Sequence, residues 1–287
     1  MIPDVDNDSI AYLNGEFVRL ADARISVLDR GFIFGDGIYE VVPVYNGKPF
    51  RMEGHLARLA RSLAAIGIQA DMTPAQWEAL VADLIARAGK GDCMVYLQIT
   101  RGVAKREHAF PNNVAPTIFA MVTPFKRPGA ELREKGMSAV AIPDIRWLHC
   151  EIKSVSLLGN VLAKQHAVDA GVDEVLQFRE GFLTEGSSCN IWIAKDGKLL
   201  APPRSNLILE GIRYGLLEEL TTAAGIAFEA RPIARSEVDI ADEIILTSAS
   251  KEILPITHFE GKPVGPGVPG PVYTTLRAAY DRAIDAL

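Results

Sequence analysis

The stretch TPFKRPGAELREKG, which opens at Thr123, is dense in proline and charge. It separates two halves that each alternate strand-like with helix-like segments. Such composition resists burial and reads as a linker between domains. The full chain of 287 residues is also long for one core. Each half must therefore bury its own apolar surface. The expected organisation is a smaller N-terminal α/β domain over residues 1–123, a linker over 124–136, and a larger C-terminal α/β domain over 137–287. Interleaved strands and helices place both in the α/β or α+β class.

Local signals fill in the halves. Asn14-Gly15 and Asn46-Gly47 each sit between strand-like runs and predict tight hairpins. Leu56, Leu59, Leu63 and Ile66 share one helical stripe, with Gly67 as its stop. Thr73, Pro74 and Gln76 read as a capping box opening a second helix, whose apolar face is Trp77, Leu80, Val81, Leu84 and Ile85. CMVYLQITRG and APTIFAMV are β-rich and flank an irregular stretch, VAKREHAFPNNV. In the second half MSAVAI predicts a strand and LLGNVLAKQHAVDAG a helix ending at Gly171. DEVLQF and NIWIA predict strands around the turn REG. LEGIRYGLLEELTTAAG predicts a helix, DEIILTS a strand, and YTTLRAAYDRAIDAL a final helix.

Composition narrows the function classes. Nearly half the residues, 48%, are hydrophobic and the net charge is −6, with no basic stripe, so no nucleic-acid partner is expected. The three cysteines, Cys93, Cys150 and Cys189, lie far apart without CxxC spacing. That predicts neither a disulfide framework nor a metal site, and suits a reducing compartment. The opening MIPDVDNDSI is acidic without an apolar core, and no apolar run reaches membrane-spanning length. The expectation is a cytoplasmic protein with no membrane partner.

Candidate chemistry concentrates in a few stretches. In DIRWLHCEIKSVSLLGNVLAKQ, Lys153 follows an apolar residue at the end of a strand-like run, whereas Lys164 falls on the polar side of a helix. A partly desolvated amine gives up its proton readily and can form a Schiff base with an aldehyde cofactor. In FLTEGSSCN, Glu185 stands at a strand end and reads either as a surface carboxylate or as the partner of a heterocyclic nitrogen. LEGIR at a helix start and LTSAS after a strand are possible phosphate nests. Arg58 reads as a fixed cation or a solvated arginine. Arg106 and His108, two apart in KREHAFP, would point the same way in an extended loop and could grip a carboxylate. Each of these alone is equally an ordinary surface feature.

Together and in this order, RGFIFGDGIYEVV, EGHLARL, TRG with REHAFP, DIRWLHCEIKSVSLLGNVLAKQ, TEGSSCN and LEGI resemble the fold-type IV pyridoxal-phosphate aminotransferases. The likeness spans nearly the whole chain and is strongest toward the branch acting on D-amino acids. It implies pyridoxal 5'-phosphate as cofactor, Lys153 as the Schiff-base lysine and Glu185 at the pyridine nitrogen. Arg58, the backbone at Ile212 and the region of Ser248 would bind phosphate, and Leu209 would pack on the ring face. Tyr39 would line the substrate site. Arg106 and His108 would hold the substrate carboxylate, from a loop that in the family reaches in from the neighbouring subunit of a homodimer. Two positions depart from the pattern: Arg213 and Ala249 stand where relatives commonly carry threonine. Arg213 either supplies a compensating cation or points away. The implied reaction moves an amino group from a D-amino acid such as D-alanine to a 2-oxo acid such as 2-oxoglutarate. Branched-chain L-amino-acid transamination, aminodeoxychorismate lysis and cofactor binding without catalysis are the alternatives.

Overall fold

The computed structural model describes Asp6, residues 8–89 and residues 91–287. Residues 1–5 and 7 of the acidic opening stretch lie outside them. The chain divides into two compact units, Met1–Lys126 with Ile152–Ser156, and Arg127–Glu151 with Leu157–Leu287.

The first unit contains β1 (Ile10–Leu13), β2 (Glu16–Arg19), α1 (Arg30–Phe34), β3 (Gly37–Tyr45), β4 (Lys48–Pro49), α2 (Met52–Ala65), α3 (Pro74–Ala88), β5 (Cys93–Thr100) and β6 (Thr117–Pro124). Among the described residues its strands form one antiparallel sheet in the order β2-β1-β6-β5-β3-β4. Both predicted hairpins are present: Asn14 and Gly15 join β1 to β2 with φ of 49° and 101°, and Asn46 and Gly47 join β3 to β4. Thr73 and Gln76 make the capping box on α3, with Pro74 in its first turn. Alternate residues of β3, namely Ile38, Val42 and Val44, pack with Val95, Leu97 and Ile99 of β5 against Leu59, Leu63, Trp77, Leu80 and Leu84. Each buried aliphatic side chain contributes about 1.5–3 kcal/mol. Glu40 sits on that same inward phase of β3.

The second unit contains α4 (Ala130–Lys135), β7 (Met137–Pro143), α5 (Leu158–Asp169), β8 (Glu174–Arg179), β9 (Phe182–Gly186), β10 (Asn190–Lys195), β11 (Lys198–Ala201), α6 (Ile212–Ala223), β12 (Phe228–Ala230), α7 (Arg235–Asp239), β13 (Glu243–Ser248), β14 (Glu252–Phe259), β15 (Lys262–Pro263) and α8 (Pro271–Asp285). Its mixed sheet runs β12-β11-β10-β13-β14-β7-β8-β9, with β15 on β14. Pairs β7–β8, β7–β14 and β11–β12 are parallel.

Three details differ from the sequence expectation. Between the two strands predicted around REG lies a further strand, β9, so Glu185 sits within a strand. Helix α6 begins at Ile212, leaving Leu209 and Glu210 in the preceding segment. The proline-rich stretch carries helix α4 and is tied into the second unit. Arg127 and Arg133 both pair with the fully buried Glu252, at 2.7 and 3.1 Å. Local composition hid this because the compensating carboxylate lies more than a hundred residues on.

Candidate active site

Lys153 belongs to the first unit, on an irregular segment laid along β3. The Tyr39 N–H donates to the Lys153 carbonyl at 2.9 Å, and the Val155 N–H to the Gly37 carbonyl at 3.0 Å. The Lys153 N–H reaches the Ser62 hydroxyl at 3.3 Å. The segment is thus fixed on both sides, and the half-buried Lys153 Nζ lies 4.0 Å from the centroid of the Tyr39 ring. Tyr39 in turn stacks on Tyr96. Lys164 is exposed on α5, its Nζ donating to the Asp173 carbonyl.

Arg106 and His108 lie on the exposed loop between β5 and β6, and one ring gathers them. The Arg106 guanidinium is 5.5 Å from the Phe34 centroid, and the His108 ring centroid is 5.4 Å from it. Both side chains therefore gather on one patch.

Arg58 is buried rather than solvated. Its Nε and Nη2 donate to the two oxygens of Glu40, at 2.7 and 2.8 Å. His55 Nδ1 approaches the same carboxylate at 2.8 Å. Burial pushes the Glu40 carboxyl up, but Arg58 and His55 more than offset this and hold it well below the usual carboxylate range. Arg58 is a fixed cation because Glu40 fixes it.

In the second unit Glu185 is buried on β9. Its Oε2 accepts the Leu209 N–H at 3.0 Å and the Asn190 amide at 3.4 Å, and its Oε1 contacts Arg146. The other edge of Arg146 is taken by Asp144, at 3.0 and 2.8 Å. Asp144 also accepts from Thr184 at 2.9 Å and pairs with Arg179 at 3.2 Å. Burial pushes the Glu185 carboxyl above its usual range, and Asp144 adds to that push. Arg146 and the Leu209 N–H pull against it without cancelling.

The turn after Glu185 has its own anchor. Fully buried Glu174 accepts the Ser187 N–H at 3.0 Å and pairs with Lys251 at 2.6 Å. Asn190, in the same motif, bridges onward, its amide donating to the Leu209 carbonyl at 2.8 Å and its oxygen accepting the Gly211 N–H at 3.1 Å. A Cβ at Gly211 would lie 2.3 Å from that oxygen, so only glycine fits there. Sequence reasoning assigned no role to Arg146, Asp144, Asn190, Glu174 or Lys251. Arg146 and Asn190 stood inside motifs already singled out, and an arginine two residues from an aspartate in an apolar run was the available signal.

At the start of α6 the cap position is Gly211, and no side chain caps the helix. Ile212 opens it. Arg213 is buried, its Nε toward the Tyr280 hydroxyl at 3.2 Å and its Nη2 toward the Ala249 carbonyl at 3.5 Å. The two departures from the family pattern are thus neighbours in space. Ser248 ends β13 and its hydroxyl accepts the Lys251 N–H at 3.0 Å.

These residues fit a phosphorylated pyridine aldehyde. An uncapped helix start suits phosphate. A buried carboxylate held by an N–H, an amide and an arginine suits a protonated ring nitrogen. The Ser187 hydroxyl is buried without a hydrogen-bond partner among the described residues.

The comparisons with known proteins agree. The family model for class IV amino-transferases matches residues 37–259. The D-alanine aminotransferase of Bacillus licheniformis is 36% identical over 271 residues, covering 94% of this chain and 95% of that protein. The D-alanine aminotransferase of Staphylococcus aureus (strain MSSA476) is 39% identical over 276 residues, covering 96% and 98%. Among solved structures, a T.th. branched-chain amino acid aminotransferase with pyridoxamine 5'-phosphate has a TM-score of 0.90 at 25% identity, covering 97% of this chain and 95% of that one. The Escherichia coli branched-chain enzyme matches the fold at a TM-score of 0.90 and 24% identity, covering 96% and 94%. An amine seated over Tyr39, a buried carboxylate and likeness along almost the full length make this chain a member of the class IV aminotransferases, a fold-type IV transaminase dependent on pyridoxal 5'-phosphate.

Proposed function

We propose that this enzyme is a D-amino-acid transaminase, transferring the amino group reversibly from a D-amino acid such as D-alanine to a 2-oxo acid such as 2-oxoglutarate. The observation that carries the reading is the pairing of Arg106 with His108 on the Phe34 ring, in a chain 36–39% identical to D-alanine aminotransferases. A guanidinium fork beside an imidazole grips an α-carboxylate. A lyase or a cofactor-storage protein has no comparable need for that grip. Branched-chain enzymes share the fold, at about a quarter identity.

When bound, pyridoxal phosphate supplies the aldehyde that accepts the amino group and the ring that draws electrons from the α-carbon. Lys153 would hold it covalently, then take the α-proton on Nζ and return it. Glu185 would keep a proton on the ring nitrogen. The Ile212 N–H, Arg58, and the Ser248 and Ala249 segment would hold the phosphate, with Leu209 against the ring. Arg213 ties α6 to Ala249 in this reading. A fixed amine reaches one face only, so the positions of carboxylate and side chain decide the enantiomer. Arg106, His108 and Tyr39 would set them.

The reading includes a homodimer in a reducing cytoplasm. Ile25, Val27, Leu28 and Phe32 are exposed apolar residues close in sequence, a surface suited to a second copy. The three cysteines are free and buried. Among the described residues no helix is long and apolar enough to cross a membrane.

A panel of D- and L-amino acids with 2-oxoglutarate tests the reading. D-alanine, D-glutamate or D-aspartate should be the best donors, and L-glutamate or L-leucine outrunning them would overturn the handedness. Arg106→Ala should lower kcat/KM for D-alanine roughly ten- to a hundred-fold, the worth of one charged hydrogen bond.

A further inference from the structure

The loop that carries Arg106 and His108 has almost no ladder of its own. Between β5 and β6 it makes one isolated bridge, Asp29 to Val103. Exposed loops without backbone pairing sample many conformations. A carboxylate grip needs a fixed geometry. Something else must hold this loop.

That holder is a buried ion cluster. Asp36 accepts Arg30 Nε at 2.8 Å and takes Arg101 on both oxygens, at 2.8 and 3.0 Å. Arg101 also donates to the Ile66 and Gly67 carbonyls at the end of α2, at 2.7 and 3.2 Å. From this anchored core the two guanidiniums reach the loop. Arg30 donates to the carbonyls of Glu107 and His108, at 2.5 and 3.3 Å. Arg101 lies 3.5 Å from the centroid of the exposed Phe110 ring. The loop base is pinned as well. The Arg30 N–H donates to the Gly102 carbonyl at 2.9 Å, and Gly102 has φ of +95° with no room for a Cβ beside Ala115.

We propose that Asp36, Arg30 and Arg101, with Phe110 as the loop's own anchor, are positioning residues for substrate selection: they hold the backbone that aims Arg106 and His108. The inference rests on the reading of that pair as the carboxylate grip. None of the four touches the substrate. One carboxylate fixes two arginines, and each arginine turns its remaining donors or its face to the loop or to α2. Loss of the carboxylate frees both, so the grip loses its aim while the proton-transfer residue Lys153 is untouched.

The test uses the holoenzyme and three variants. Phe110→Ala removes only an exposed ring and should fold. Asp36→Asn leaves two guanidiniums sharing a neutral amide. Steady-state kinetics with D-alanine, inhibition by propionate as a bare carboxylate probe, and tryptic cleavage after Lys105 and Arg106 are measured for each. In Asp36→Asn the D-alanine KM and the propionate Ki should rise together, roughly ten- to a hundred-fold. Its kcat should fall by less than about threefold, and loop cleavage should quicken. Phe110→Ala should show the same pattern at roughly three- to tenfold, the scale of one cation–π contact. It carries the test alone if Asp36→Asn does not fold. Arg106→Ala is the reference. If it raises KM and Ki while the other two variants leave them unchanged, the positioning role is wrong and the grip stands. If Arg106→Ala itself leaves both unchanged, the grip falls and this inference with it.

Discussion

Two buried carboxylates, one in each unit, meet arginine in opposite ways. Glu40 lies between Arg58 and His55, so one anion faces two basic groups. Glu185 shares Arg146 with Asp144, so two anions compete for one guanidinium. Both are almost wholly buried, and burial is the largest influence on each. Yet Glu40 is held far below the usual carboxylate range and Glu185 above it. The difference lies in local charge stoichiometry, because desolvation is common to both. A structural ion pair is the simplest solution where the proton must never return. A carboxylate left short of positive charge is what a protonated ring nitrogen can complete.

Removing the acid from the second site should produce the largest functional effect. Glu185→Gln keeps the shape, and Arg146 keeps Asp144. The fold should survive, while the single-turnover rate of α-proton removal from D-alanine drops by on the order of 10²-fold or more. A wild-type rate would mean that the two carboxylates differ only in structure.

Breaking the first site should cost stability instead. Arg58→Met leaves Glu40 buried with a histidine alone, and removal of one partner of a buried pair costs about 3–5 kcal/mol. Urea unfolding of the apoprotein measures it. A loss no greater than that of an exposed pair would contradict the structural role given to Glu40.

Acidity separates the two more finely. Glu40 is depressed below 4.5, so its stabilisation is present above that pH and is lost as pH falls. Glu185 is raised above 4.5, so its contribution is full below that pH and lost as pH rises through the raised value. Urea midpoints of the apoprotein should lose their acid-side slope in Glu40→Gln and their slope on the higher side of 4.5 in Glu185→Gln. Matching profiles in both variants would erase the contrast.

The smallest change tests the competing anion. Thr184→Val deletes one hydroxyl hydrogen bond to Asp144, worth about 1 kcal/mol. The urea midpoint should shift slightly, without loss of the slope on the higher side of 4.5 that Glu185 supplies.

The residues that were legible in advance are those whose cause is local. Asn14-Gly15 turns a hairpin because both positions take positive φ, and Thr73 caps α3 because its partner is three residues away. The stripe of Trp77, Leu80, Val81, Leu84 and Ile85 is the buried face of one helix, fixed by helical period alone. Lys153, Glu185 and Tyr39 stood out only as parts of motifs held together by resemblance. Glu40 gave a signal that could have been read: it falls on the inward phase of β3 with Ile38, Val42 and Val44, where a carboxylate needs a buried partner.

Sequence by itself determined the hairpins, the helix caps, the α/β character of both halves and, through motif order, the family and its lysine. Tertiary structure alone decided which charges meet. Arg58 finds Glu40 through the packing of α2 on β3, Arg146 finds Glu185 through the pairing of β7, β8 and β9, and Arg127 finds Glu252 across most of the second unit. Turn and capping preferences act over a few bonds and leave a mark in neighbouring residues. Buried charges must be satisfied by whatever the sheet register and helix packing bring within about 3 Å, and chain distance carries no record of that.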